Sequence, residues 1–129
     1  PVHRSRAMAK KHNPRFLAIV EAAREEISEC SASDLPELIE HGAVIIDVRE
    51  NHEYESGHLS GAIHIGKGVI ERDIEKFDFP TSTKLVLYCG GGFRSAIAAK
   101  SLKEMGYTDV YSLWGGWRGI VSEGLETSK

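Results

Sequence analysis

The chain has 129 residues, 41% of them hydrophobic, enough for one well-buried core and too few for two ordinary domains. A formal charge of -3 argues against nucleic-acid and membrane-surface proteins, which concentrate positive charge. Cys30 and Cys89 are the only cysteines, too few for a disulfide framework or a zinc cluster, so a free thiol in a reducing compartment, the cytoplasm, is expected.

Residues 1 to 13 carry Arg4, Arg6, Lys10 and Lys11 with no acid. They are expected to form a disordered basic leader, in part a cloning remnant because the first methionine is Met8; contact with a partner is the alternative use. Asn13-Pro14 suits a helix start. Phe16, Val20, Ala23 and Ile27 follow at helical spacing, predicting an amphipathic helix over residues 14 to 26. A short strand is expected within residues 26 to 30, then a second helix from Ser33 to about His41, ended by Gly42. No apolar run reaches the length of a transmembrane span, and no signal-peptide core precedes the first helix. A soluble protein with no membrane partner is expected.

Residues 43 to 46 (AVII) and 85 to 88 (LVLY) are short apolar runs without alternation, the pattern of strands covered on both faces of a parallel sheet. Residues 109 to 113 and 62 to 65 are further strand candidates. Helices are expected over residues 51 to 56, 69 to 77, 94 to 105 and 117 to 123. Strands alternating with helices predict an α/β fold with a central parallel sheet. Functional sites in such sheets lie beyond the carboxyl ends of strands, where Cys89 stands.

The stretch from Tyr88 to Ala99 reads YCGGGFRSAIAA. A helix starting near Arg94 aims free amides and its positive dipole end back at Cys89, which favours thiolate. Gly90, Gly91 and Gly92 can turn their N–H groups inward as an anion nest. Phe93 follows, Arg94 adds a fixed charge, and the Ser95 hydroxyl can donate to sulfur. This is an anion-binding nucleophile loop. Cysteine phosphatases use Cys-x5-Arg; the count here is Cys-x4-Arg, a narrower ring better suited to one extra sulfur atom than to a phosphate.

A second stretch, residues 47 to 65, reads DVRENHEYESGHLSGAIHI. It resembles the rhodanese family at Asp47, Val48, Arg49, Glu53, Tyr54, Gly57, His58, Gly61 and Ala62. CGGGFRS is similar to the family's C-x-x-G-x-R-S loop, and residues 105 to 117 resemble its closing strand and glycine pair. The resemblance covers residues 27 to 123, leaving 124 to 129 as a C-terminal tail. It implies a rhodanese-like fold with a parallel sheet of about five strands flanked by helices.

The resemblance further implies sulfur transfer through a Cys89 persulfide with no cofactor; the histidines show no metal-ligand spacing, so no metal is expected. Its partners would be a small anionic sulfur donor and a thiol acceptor, a small thiol or a thioredoxin-like protein, with no nucleic acid. The loop from Gly90 to Ser95 binds the sulfur anion in this reading. Asp47, Arg49, Glu53 and His58 are expected to form a supporting polar network, with Arg49 and Glu53 able to pair. Trp114 either overhangs the pocket or packs in the core. Cys30 is expected to be structural. Family loops often carry basic or polar residues where Gly90 and Gly91 stand here, so thiosulfate is expected to work poorly beside a persulfide donor. The rival functions are a sulfur-carrier or interaction module and a small phosphatase or arsenate reductase.

Overall fold

The computed structural model describes residues 12 to 129; of the expected basic leader only His12 and Asn13 fall within them. Helix α1 (Pro14–Arg24) starts as its sequence predicts, with Pro14 in the first turn. Asn13 caps it through its carbonyl, which accepts the Leu17 N–H at 3.1 Å, and its side chain takes no part. The helix stops two residues short of the expected end, where the Glu26 N–H turns back to the Ala23 carbonyl at 3.0 Å. Strand β1 (Ser28–Cys30), a 3₁₀ turn (Ala32–Asp34) and α2 (Leu35–Glu40) follow.

The main sheet contains β2 (Val44–Asp47), β4 (Ile63–His64), β5 (Leu85–Tyr88) and β6 (Val110–Leu113) beside β1. The spatial order is β1-β6-β5-β2-β4, and every pairing is parallel. Successive residues of the central strands feed opposite faces. Ile46, Leu85 and Leu87 pack into one layer with Ile70, Ile74 and Leu102. Ile45, Val86 and Tyr88 face the other, with Leu35 and Ile120. Cover on both faces explains the continuous apolar runs.

Helices α3 (Asn51–Ser56), α5 (Arg94–Glu104) and α6 (Gly116–Glu123) agree with their sequence patterns to within a residue. Residues 67 to 77 do not form one helix. They wind as a 3₁₀ turn, a four-residue α4 (Ile70–Asp73) and a second 3₁₀ turn (Ile74–Phe77), because Ile70 and Ile74 alone are fully buried there and too few contacts stabilise a longer α-helix. Asp78, in a left-handed conformation at φ 55°, ends it. Residues of the expected tail form a strand: β7 (Thr127–Ser128) pairs antiparallel with β3 (His58–Leu59) in a separate two-stranded sheet. Two-residue strands leave no periodicity to read. No helix among the described residues is long and apolar enough to cross a membrane.

Candidate active site

Cys89 follows directly on β5 and is 1% exposed. The backbone between it and α5 folds over its sulfur. The Gly92 N–H donates to Sγ at 3.2 Å and the Ser95 N–H at 3.3 Å, placing positive dipole ends where negative charge on sulfur is stabilised. Ser95 Oγ lies 3.5 Å from Sγ and 2.8 Å from Ser112 Oγ on β6. The two hydroxyls form a reversible relay. With sulfur protonated, S–H donates to Ser95 Oγ; with sulfur ionised, the Ser95 O–H turns to it while Ser112 donates to Ser95.

The glycines are required by geometry at two points. Gly92 adopts φ +97°, and a Cβ there would lie 3.2 Å from the Leu113 carbonyl oxygen and 3.3 Å from the Gly115 nitrogen. Gly116, at φ +52°, brings α6 so close that a Cβ would fall on the Cys89 carbonyl oxygen and lie 2.8 Å from the Gly90 carbonyl. That approach lets the Trp117 N–H reach the Cys89 carbonyl at 2.7 Å and the Arg118 N–H reach that of Gly90 at 3.3 Å. The first turn of α6 therefore grips the loop's outer carbonyls while its inner amides face sulfur.

Arg94 stands beside Cys89, and its guanidinium is held above its ordinary pKa first by hydrogen bonding to Glu53, with the Cys89 sulfur contributing. The partner predicted for Glu53 is corrected: it pairs with Arg94, not Arg49. Arg94 donates to Glu53 Oε1 at 3.1 Å and Oε2 at 3.3 Å. Glu53 Oε1 also accepts the Glu50 N–H at 2.9 Å at the start of α3. These bonds, Arg94's foremost, hold the Glu53 carboxyl below the usual carboxylate range.

Arg49 is committed elsewhere. It is 4% exposed beside the fully buried Asp47, and donates to Asp47 Oδ2 at 2.8 Å and to the Gly57 carbonyl at 2.7 Å. Its Cζ also lies 4.7 Å from the centre of the Trp117 ring. Burial acts to depress the guanidinium, but the hydrogen bond and charge of Asp47 overcome it and the net shift is upward. His58 donates Nδ1–H to the Tyr54 carbonyl at 2.9 Å and stacks on Tyr54 at 3.7 Å. The second face of the network comes from His64, which also stacks on Tyr54 and whose Nε2 donates to the Arg49 carbonyl. Asp47 and Arg49 thus hold the Gly57 carbonyl and His58 the Tyr54 carbonyl, while Glu53 pairs with Arg94 beside the loop.

Trp114 is half-buried and lines a neighbouring cleft with Ser31, Ser33 and Ser122; the Cys89 cleft does not include it. Cys30 and Cys89 are separated by β6, a span of about 9–10 Å across two strand spacings and beyond the reach of a disulfide. Burial, with Asp34 and Glu29 adding charge, pushes the Cys30 thiol up to about 12.

A cleft of about 450 Å³ opens over Cys89, lined by His12, Phe16, Glu53, Gly90, Gly91, Phe93, Arg94 and Arg118. Sequence reasoning missed His12, Phe16, Arg118 and Ser112. The first three are placed by tertiary packing alone, His12 lying 4.5 Å from Phe93 and 5.2 Å from Phe16 between ring centres. Ser112 had a signal, a hydroxyl inside an otherwise apolar buried strand, which needs a partner.

Comparison with known proteins agrees with this fold. The model of the rhodanese-like domain matches residues 31 to 123. The thiosulfate sulfurtransferase GlpE of Pseudomonas paraeruginosa is 34% identical over 96 residues, 72% of this chain and 86% of that one. The uncharacterized protein YqhL of Bacillus subtilis is 38% identical over 76 residues, and the match spans 59% of each chain. Among solved structures, a Rhodopseudomonas palustris protein of unknown function, called a possible tyrosine phosphatase, superposes with a TM-score of 0.79 at 28% identity, covering 92% of this chain and 96% of that one. A rhodanese-related protein of Thermoplasma volcanium gives 0.68 at 26%, covering 78% and 97%. With the family model matched over residues 31 to 123 and a relative of 34% identity covered over most of both chains, the chain belongs to the family of rhodanese-like domains.

Proposed function

We propose that the chain is a sulfurtransferase that carries a sulfane sulfur as a persulfide on Cys89. The observation that carries this reading is the pair of amides donated to Sγ by Gly92 and Ser95 in a loop only five residues from cysteine to arginine. In the first half-reaction the Cys89 thiolate attacks the outer sulfur of a donor. The donor's S–S bond breaks, and its remainder, sulfite in the case of thiosulfate, leaves with the bonding electrons. In the second, a nucleophilic acceptor such as cyanide or a thiolate attacks the outer sulfur of the persulfide and Cys89 departs as thiolate. The loop amides stabilise whichever sulfur bears the charge, in the manner of an oxyanion hole. The loop amides and the Ser95 hydroxyl already serve the sulfur, so no histidine base is needed, and the thiol chemistry suits a reducing compartment such as the cytoplasm.

An organic persulfide is the better donor. Gly90 and Gly91 offer thiosulfate no side-chain contact, and the 450 Å³ cleft with Phe16 and Phe93 on its wall accepts a much larger molecule. The acceptor is a thiol, on a small molecule or a thioredoxin-like protein.

The phosphatase reading has one observation in its favour, the likeness to the Rhodopseudomonas protein called a possible tyrosine phosphatase. Against it, both terminal nitrogens of Arg94 are engaged by Glu53, whereas phosphate binding uses that fork for the substrate. Intact-protein mass separates the two. Incubation with thiosulfate or glutathione persulfide should add one sulfur atom, removable by cyanide and absent in Cys89→Ser. Failure to gain sulfur from either donor, with Cys89-dependent hydrolysis of p-nitrophenyl phosphate, would reverse the assignment.

A further inference from the structure

Part of this site comes from outside the segment that defines the family. The family match begins at residue 31, and α1 precedes it. Val20 and Ala23 of α1 are buried against Phe93 and Ala96, at the start of α5. Arg24, the last residue of α1, is 11% exposed at its side chain. Its Nη2 donates to the Gly92 carbonyl at 3.3 Å, and its Cζ lies 5.0 Å from the centre of the Phe93 ring. Two carboxylates hold the guanidinium in place. Glu29 on β1 brings Oε2 to 3.3 Å from Nε, without hydrogen-bond alignment, and Glu21 lies 3.6 Å from Nη1.

The peptide that Arg24 grips adjoins the one that faces sulfur. Gly92 turns its N–H inward to Cys89 and its carbonyl outward to Arg24. Three consecutive glycines have many alternative backbone states, and confining them to one has a large entropic cost. Contacts from outside the loop must select the working state. Trp117 and Arg118 amides hold the carbonyls of Cys89 and Gly90, at the loop's beginning. At its far end the side-chain donor is Arg24.

We propose that Arg24 is a positioning residue for the Cys89 loop: by fixing the Gly92 carbonyl and the Phe93 ring, it keeps the Gly92 N–H aimed at the reacting sulfur. This rests on the sulfur-transfer reading above. Arg24 does not line the cleft, so it contributes nothing directly to donor binding. The Gly92 N–H bond is strongest when the Cys89 sulfur is most negative, as the attacking thiolate and again as the thiolate that departs in the second half-reaction. Its misalignment lowers the reactive thiolate fraction and weakens the transition state of sulfur release without touching donor binding. Loss of Arg24 therefore falls on kcat and leaves KM nearly unchanged.

Arg24→Met keeps a long apolar stem against Phe93 without a donor, and Arg24→Lys keeps the charge and a donor. On the full chain, Arg24→Met is expected to lose roughly tenfold in kcat for a persulfide donor, with KM within about twofold, and Arg24→Lys to recover most of the loss. The alkylation rate of Cys89 by iodoacetamide at fixed pH should fall several-fold in Arg24→Met. This second readout needs no sulfur donor, so it tests Arg24 even if the wild-type chain takes up no sulfur and the sulfurtransferase reading fails. Unchanged kcat and alkylation in Arg24→Met would overturn the proposal, as would a loss in Arg24→Lys as deep as in Arg24→Met. Should Arg24→Met fail to melt cooperatively, Arg24→Gln, with one amide donor on a shorter stem, takes its place: intermediate alkylation supports the role, and wild-type alkylation rejects it.

Discussion

The Arg94 guanidinium and the Glu53 carboxylate meet fork to fork at 3.1 and 3.3 Å, although 41 positions separate them in the chain. The bond ties α3, which follows the second strand, to the first turn of the helix that carries the cysteine loop. It fixes where the positive charge beside Cys89 stands.

Replacing Glu53 by Gln should release that charge and lower kcat/KM for an anionic donor by roughly tenfold. The clamp also has a pH signature. The Glu53 carboxyl is depressed on folding, chiefly by Arg94, so its contribution to stability is present above the unfolded value and lost as pH falls through the folded one. Urea unfolding of wild type and Glu53→Gln should differ by a constant amount above about pH 5 and converge on acidification below about pH 4. A difference that already shrinks between pH 7 and 5 would contradict the assignment.

Gly116→Ala should be among the costliest single-methyl additions in the chain. The new carbon falls on the Cys89 carbonyl, at a φ that side chains rarely adopt, and a loss of about 3 kcal/mol is expected. Equilibrium denaturation measures it. Sulfur transfer by the fraction still folded should drop as well, because α6 is pushed off the loop.

Ser112→Ala removes the second hydroxyl of the relay and leaves Ser95 to serve sulfur alone. Persulfide formation in a single turnover should slow about fivefold, equivalent to about 1 kcal/mol. A variant as fast as wild type would reduce the Ser95–Ser112 contact to packing.

Cys30→Ser should leave sulfur transfer unchanged. Its thiol, pushed up to about 12 by burial, presents almost no thiolate at pH 8, so mass mapping after brief alkylation should find label on Cys89 and none on Cys30. Label on both cysteines at equal rates would refute this.

Asp47→Ala strips the buried Arg49 of its counter-charge. Breaking such a pair from one side costs about 3–5 kcal/mol, and Arg49 has no solvent to turn to. Activity per folded molecule should stay within a few-fold of wild type, since neither residue lines the Cys89 cleft. Comparing thermal melting with active-site titration distinguishes this from a catalytic role.

The sequence made the sheet and the loop legible for the same reason. Val44–Asp47 and Leu85–Tyr88 are covered on both faces, so their apolar runs are unbroken, and the cysteine with its glycines follows at the only place such a strand can deliver it. The pairing open to Glu53 in the sequence is with Arg49, its near neighbour, but sequence distance says nothing about which cation a sheet crossover brings closer, and Arg94 takes the place. His12 and Phe16 were out of reach because they enter the cleft through the docking of α1 on α5, with no periodicity at the site itself. The broken helix over residues 67 to 77 has a helical hydrophobic pattern, but packing decides whether such a pattern winds as α or 3₁₀.

The order of strands also sets an order of assembly. β1 lies at the edge of the sheet, and its neighbour is β6, so Ser28 waits for Tyr111 before it can pair. Emerging from a ribosome, the chain makes its first strand early and places it late. Such long-range parallel closure is slow relative to local structure. Glu29, which steadies Arg24, stands on that edge strand, so the charge pair behind Gly92 is in its final place only once β1 has joined β6. The brace behind the Cys89 loop is therefore complete only at the end of assembly.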